Sequence, residues 1–168
     1  MKKAVILTAR KERDSQVPYP LLPFAGDICL MDRTLAILRE NGIKQITIVT
    51  GFCHEQFEKY QAEDVILIYN KDYEFTASMG SLALAKEFID EDFLLVEGDT
   101  FYEKKVIEKL CERAEGNCIS MTEESGSGDE CFVETKNGFV TKITKDRHRV
   151  CNVEGEMMGI TRISYETY

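Results

Sequence analysis

Four short apolar runs, each unbroken rather than alternating, constrain this chain most: residues 4–8, 45–50, 65–69 and 93–96. A strand with one wet face alternates apolar and polar side chains, whereas a continuous run suits a strand covered on both faces, as in a parallel sheet. The segments between them carry helical periodicity. Met31, Leu35 and Leu38 share a face before Asn41-Gly42 ends that helix. Residues 54–61 read as a shorter polar helix. Residues 79–89 place Leu82, Leu84, Ala85, Phe88 and Ile89 over a wide face, and 103–114 turn Val106, Ile107 and Leu110 inward. This alternation predicts an α/β fold with a doubly wound, mostly parallel mixed sheet of the Rossmann-like kind. Right-handed crossovers would bring the carboxyl ends of its strands to one edge, where such sheets bind ligands.

After Gly116 the pattern changes to candidate strands at 118–122, 131–135, 139–143 and 158–163, with hairpin punctuation at Lys136-Asn137-Gly138. No internal repeat or domain boundary interrupts the chain, so a single domain over residues 1–168 is expected. That length permits a core burying roughly 70% of the unfolded surface. With 43% hydrophobic and 30% charged residues, the composition is that of a folded globular protein. A net charge of −9 argues against nucleic acid or an anionic membrane surface as the main partner. No apolar run approaches the roughly 20 residues needed to span a bilayer. The basic start followed by residues 4–8 is too short for a signal peptide. The six cysteines lack a CxxC pair and His54 and His148 are the two histidines, which points to reduced thiols in a cytoplasmic protein rather than a zinc site.

Three loops carry candidate chemistry. The first, residues 9–27, holds Arg10, Lys11 and Arg13 and then Pro18-Tyr19-Pro20-Leu21-Leu22-Pro23. Its cations suit a polyphosphate, or else merely solvate a proline-stiffened connection. The second is Val96-Glu97-Gly98-Asp99-Thr100, where an apolar strand ends in two carboxylates. An acidic group there is placed to hold Mg²⁺ against substrate phosphates; alternatively Asp99 caps the next helix. The third is Phe75-Thr76-Ala77-Ser78-Met79-Gly80-Ser81, whose small hydroxyl residues lead into a helix and either face a ligand or supply an N-cap at Ser78. Residues 87–92 read as solvated acidic surface. Lys142, Lys145, Arg147 and Arg149 read as a solvated turn or a second phosphate surface.

At these motifs the chain resembles the nucleotidyltransferase family of sugar-nucleotide and cytidylyl-transferring enzymes, phosphocholine and 2-aminoethylphosphonate cytidylyltransferases among them. The likeness is carried by Ala4-Val5-Ile6-Leu7-Thr8-Ala9, Pro18-Tyr19-Pro20-Leu21-Leu22-Pro23, residues 43–52, Tyr69-Asn70, residues 78–85, Glu97-Gly98-Asp99 and Gly155-Glu156-Met157-Met158-Gly159-Ile160. It implies the nucleotide-diphospho-sugar transferase type of fold and a Mg²⁺-dependent transfer. A nucleoside triphosphate, CTP by the nearest likeness, would lie over Thr8, Ala9, Arg10 and Lys11, with its base near Gly80 and Ser81. Asn70, Ser78 and Glu156 would make further contacts in the crevice. Asp99 would hold the metal and Arg13 and Tyr19 would stand at the reacting phosphates. A small phospho- or phosphono-acceptor would attack and release pyrophosphate, with no protein nucleophile required.

The chain departs from the family pattern in places. Arg10-Lys11-Glu12-Arg13 stands where the family carries glycines and an arginine, and Pro18-Tyr19-Pro20-Leu21 has a phenol where the family has a phosphate-binding lysine. One charge-assisted contact contributes on the order of 1.5–3 kcal/mol, or roughly tenfold to several-hundredfold in rate. Family members usually continue beyond the strand at Ile160 with a second metal carboxylate, so the expected domain lacks that part. These departures support an alternative expectation: a catalytically inactive nucleotide-binding or regulatory relative, working with a fused or associated enzyme domain.

Overall fold

A computed structural model of the protein describes residues 1–12, 15–113 and 116–168. In chain order its strands and α-helices are β1 (Lys3–Thr8), β2 (Pro23–Ala25), β3 (Ile28–Cys29), α1 (Leu30–Glu40), β4 (Gln45–Thr50), β5 (Val65–Tyr69), α2 (Ser78–Leu84), β6 (Phe93–Glu97), α3 (Lys104–Glu112), β7 (Cys118–Thr122), β8 (Phe132–Lys136), β9 (Phe139–Thr144) and β10 (Gly155–Ile163). The chain divides into two compact units, Met1–Cys118 with Thr161–Tyr168, and Ile119–Ile160.

In the first unit the four apolar runs are parallel neighbours in the order β5-β4-β1-β6. The chain steps outward from β1 to β4 and β5, then returns to the opposite side of β1 for β6. That reversal puts a topological switch point between β1 and β6, at their carboxyl ends. Central β1 is buried from Ala4 to Thr8. Its Val5 and Leu7 pack with Val49, Leu82, Ala85, Ile89 and Phe93 beneath α2. Alternation along the strand sends Ala4 and Ile6 to the other face, and Ile6 is fully buried between its partners Ile48 and Val96.

The segment 87–92, read as solvated, is partly structural. Asp92 accepts from the buried Arg162 guanidinium at 3.1 Å and from the Tyr165 backbone N–H at 3.0 Å. Arg162 also donates to the Arg113 carbonyl. Beyond it, the Tyr168 hydroxyl donates to the Leu82 carbonyl at 2.8 Å while its ring meets Phe93 edge-on at 5.3 Å. Asp90 pairs with Lys3 at 2.6 Å.

The second unit is antiparallel. β8 and β9 form the expected hairpin, with Lys136 opposite Phe139 across Asn137-Gly138, and Gly155 and Glu156 of β10 pair with Val133 and Phe132. Three cations of the basic group are paired locally, and Lys142 donates to the Arg149 carbonyl at 2.8 Å. Lys145 meets Asp129 at 2.6 Å, Arg147 meets Glu124 at 3.8 Å and Arg149 meets Asp146 at 3.3 Å. Parallel pairing in the first unit and antiparallel pairing in the second give the mostly parallel, mixed α/β class expected.

Three elements differ from expectation. Residues 54–60 form a 3-10 helix rather than an α-helix, entered through Cys53 in a left-handed conformation with φ 51°. The helix expected over 79–89 ends at Leu84, and a separate 3-10 turn follows at Lys86–Phe88. The long first loop contains the β2–β3 ribbon, which leads into α1 through a reciprocal cap: the Cys29 N–H donates to Asp32 at 3.0 Å. All six cysteines are free thiols. Among the described residues no helix is long and apolar enough to cross a membrane.

Truncating the central strand tests this packing: Ile6→Ala should cost about 2–5 kcal/mol in chemical denaturation, since the cavity opens between two paired strands. The Asp92 contacts give a pH test. The Tyr165 N–H, then the Arg162 guanidinium, hold the Asp92 carboxyl below its ordinary range. Their stabilisation is therefore present above the unfolded carboxylate's pKa of about 3.9 and is lost as pH falls through the lower folded value. Asp92→Asn should flatten that part of the stability curve in denaturation measured from pH 6 down to pH 3.

Candidate active site

The site is built where β1 and β6 end. Their register finishes at Leu7 opposite Glu97, and the Gly98 N–H extends the ladder by donating to the Leu7 carbonyl at 2.8 Å. A Cβ on Gly98 would overlap the Thr8 methyl, stand 2.9 Å from the Leu7 carbonyl oxygen and 3.3 Å from the Pro20 ring. Glycine is therefore what allows the acidic turn to close on β1 and lets the 3-10 turn Tyr19–Leu21 rest against it. On the other flank the Phe52 N–H donates to the Ala9 carbonyl at 3.0 Å, and a Cβ on Gly51 would stand 2.5 Å from that oxygen. Thr8 is buried and its hydroxyl donates to the Val49 carbonyl at 3.2 Å. Thr8 and Ala9 are thus clamped from both neighbouring strands.

Asp99 lies in the turn after β6 and is exposed. It does not cap the following helix: α3 begins after Glu103 with no side-chain cap. The capping alternative for Ser78 fails as well. The N-cap of α2 is Ala77, without a side-chain cap, and Ser78 is the helix's first residue. Burial and then the charge of Asp99 push the Glu97 carboxyl above its ordinary range, against the Ser78 hydrogen bond and the nearby Arg10 cation. Arg10 itself is largely exposed and lies 3.6 Å from the Glu12 carboxylate. The end of β1 and the acidic turn therefore meet, and Glu97 stands in register with Leu7 where Asp99 was the expected acid. The available signal was the carboxylate closing an otherwise apolar strand.

The donor set fits a hard divalent cation. Mg²⁺ takes oxygen ligands, commonly one or two carboxylates, and completes its shell with water and substrate phosphate oxygens. An exposed Asp99 beside a carboxylate that resists ionisation is an arrangement a cation would relieve.

The other candidate residues are dispersed. Asn70 and Ser81 are buried, and the Asn70 amide donates to Thr76 at 2.8 Å and to Ser81 at 3.0 Å while its oxygen accepts from the Asp72 N–H at 3.0 Å. Both residues brace the loop that leads into α2. Gly80 packs against Thr76, which leaves no room for a Cβ. Lys11 stands 5.3 Å over the Phe52 ring, and Tyr19 is partly exposed in its 3-10 turn. Glu156 belongs to the second unit, where it accepts from the Ser125 N–H at 2.9 Å. Arg13 lies outside the described residues.

Residues 4–145 match the MobA-like NTP transferase domain, a span covering most of the chain. The chain belongs to this family. The NTP transferase domain is 31% identical over 128 residues, 70% of its length, to CMP-5'-(3-aminopropyl)phosphonate synthase of Streptomyces rubellomurinus. It is 41% identical over 66 residues, 39% of its length, to choline-phosphate cytidylyltransferase of Haemophilus influenzae. The matched regions are 20% and 28% of those proteins' own lengths. Its fold is similar to that of the inositol-1-phosphate CTP transferase from T. maritima, with a TM-score of 0.79 at 18% identity over 99% of this chain and 71% of that one.

The close approach at Gly98 is directly testable. Gly98→Ala should cost about 1–3 kcal/mol of stability in denaturant unfolding, because the new methyl meets backbone as well as the Thr8 side chain.

Proposed function

We propose that this NTP transferase domain carries out nucleotidyl transfer, and that the reaction is cytidylyl transfer from CTP to a small phosphorylated or phosphonate acceptor. The observation that carries this reading is the closing of the Glu97-Gly98-Asp99 turn onto the β1 end and the first loop, at the switch point of a parallel sheet. The choice of CTP and of acceptor class rests on the names of the relatives in Streptomyces rubellomurinus and Haemophilus influenzae.

In this reaction an acceptor oxygen forms a bond to the α-phosphorus of CTP, and the bond from that phosphorus to the bridging oxygen breaks. Pyrophosphate departs with the electron pair. The protein's part is positioning and charge neutralisation. Thr8 and Ala9, clamped on both sides, set the floor beneath the triphosphate. Arg10 and Lys11 supply positive charge from the first loop, joined in this reading by Arg13, and the Tyr19 phenol stands where the family's lysine would. Asp99, with Glu97 beside it, would hold Mg²⁺, which when bound offsets phosphate charge that a chain of net charge −9 would otherwise repel. Asn70 and Ser81 keep the α2 loop in shape, so that Ser78 and Gly80 border the place for the base.

The test is pyrophosphate release with CTP, Mg²⁺ and a panel of phosphocholine, aminoalkylphosphonates and sugar phosphates. Turnover with at least one acceptor, reduced at least a hundredfold by Asp99→Asn and abolished by chelation, is expected. CTP-induced thermal stabilisation without pyrophosphate from any acceptor would assign the domain to nucleotide binding alone. A panel of nucleotides producing neither stabilisation nor turnover would remove the proposal.

A further inference from the structure

The tripeptide Gly51-Phe52-Cys53, just past β4, grips the first loop at three places. At Ala9 the grip is main chain: the Phe52 N–H donates to the Ala9 carbonyl at 3.0 Å, and a Cβ on Gly51 would stand 2.5 Å from the same oxygen. At Gln16, where the loop returns, the Cys53 thiol donates to the carbonyl over a long 3.9 Å. Between these two lies Lys11, and its ammonium stands 5.3 Å from the centroid of the Phe52 ring. That is within the roughly 6 Å at which the negative face of a phenyl ring attracts a cation. Phe52 therefore holds both ends of Ala9–Lys11, one with its backbone and the other with its ring.

The ring contact has no need to exist for packing. A leucine would keep the backbone bond to Ala9 and fill a similar half-buried place; what the ring adds is its face. The charge it holds is uncommitted. Among the described residues Lys11 meets no carboxylate, whereas Arg10 lies 3.6 Å from Glu12. Lys11 is also held on the β4 side of β1, while Gly98 closes the acidic turn from the β6 side. Phosphates lying over Thr8 and Ala9 would thus have the acidic turn on one flank and this ammonium on the other. Residues 9–17 contain no glycine, so close approach of phosphate to backbone amides is obstructed and the contact falls to a charged side chain.

We infer, on the basis of the nucleotide-binding reading above, that Phe52 is a positioning residue whose ring holds the Lys11 ammonium ready for the nucleotide phosphates. An ammonium has three donors, and the ring takes up one side of it, so donors remain for phosphate oxygens. The attraction of the ring is weaker than a charge-assisted bond to phosphate, so it restrains the lysine stem without competing for the ligand. What the ring removes is the freedom of a long, exposed side chain, which would otherwise be lost on binding. Phe52 touches no reacting atom and acts through Lys11.

A double-mutant cycle tests this on the full chain, with CTP and inorganic triphosphate titrated by calorimetry at fixed Mg²⁺ and thermal unfolding followed in parallel. Lys11→Met, which keeps most of the stem, should weaken both ligands roughly ten- to hundredfold, the range of one charge-assisted phosphate contact. Phe52→Leu should weaken both about two- to fivefold, the range of an exposed cation–π contact. Phe52→Tyr, which keeps the ring face, should bind like the original chain. Adding Phe52→Leu to Lys11→Met should cause no further loss. In the free protein the Lys11 ε-methylene protons should resonate upfield under the ring and return to the ordinary lysine position in Phe52→Leu. Unaltered affinity in Phe52→Leu, an equal loss in Phe52→Tyr, losses that add in the double variant, or a loss for CTP without one for triphosphate would each overturn the positioning role while leaving the nucleotide site standing. An original chain that binds neither ligand would overturn the functional reading, and this inference with it.

Discussion

The approach of β6 to β1 at Gly98 is the constraint on which the rest of the site depends. A parallel sheet whose connections reverse at one strand leaves a crevice between the two strands that part company there. Here those strands are β1 and β6, and the crevice is usable only because the acidic turn folds down onto the Leu7 carbonyl instead of being pushed away by a side chain. With that contact made, Glu97 and Asp99 stand beside the base of the first loop. The 3-10 turn at Tyr19 closes against the same glycine through Pro20. A few backbone-level contacts thereby set the relative positions of groups drawn from widely separated parts of the sequence.

Much of this was legible in advance because the core strands are buried on both faces. A strand such as Gln45–Thr50 cannot alternate when both of its faces are covered, so its limits could be read directly. The hairpin turn at Asn137-Gly138 was equally plain. Short or marginal elements were not. The β2–β3 ribbon has strands of only three and two residues and is exposed over Pro23–Ala25, so it read as loop. Helix α2 stops early because Ala85 and the residues after it tighten into a 3-10 turn, a change that leaves the apolar pattern intact.

The candidate site was readable in its parts and less so in its partnerships. Asp99 stood out as an acid after an apolar strand, yet Glu97, on the other side of Gly98, is the less exposed of the two. Which of the two carboxylates turns inward is decided by the strand's register with β1, and no local pattern reports that. Ser78 looked like a helix cap because small hydroxyl residues usually are; here the helix starts at Ser78 itself, with Ala77 at the cap position. Asn70 and Ser81 looked open to a ligand but satisfy each other, because a buried amide with no partner would cost more than the loop could bear. Asp92 looked like solvent-facing charge and instead anchors Arg162 and the backbone of Tyr165, a contact made some seventy residues away in sequence.

The clamp on Thr8 and Ala9 has a consequence for how such a loop can change over time. Both of its anchors are made of main chain: the Leu7 carbonyl under Gly98, and the Ala9 carbonyl under the Phe52 amide beside Gly51. Neither depends on the side chains that follow. The stretch from Arg10 onward can therefore exchange small residues for bulky charged ones, or alter its length, while its root stays in place. Innovation is permitted in the overhang and forbidden in the hinge-pins, so a glycine-poor version of the loop is compatible with an undisturbed scaffold beneath it.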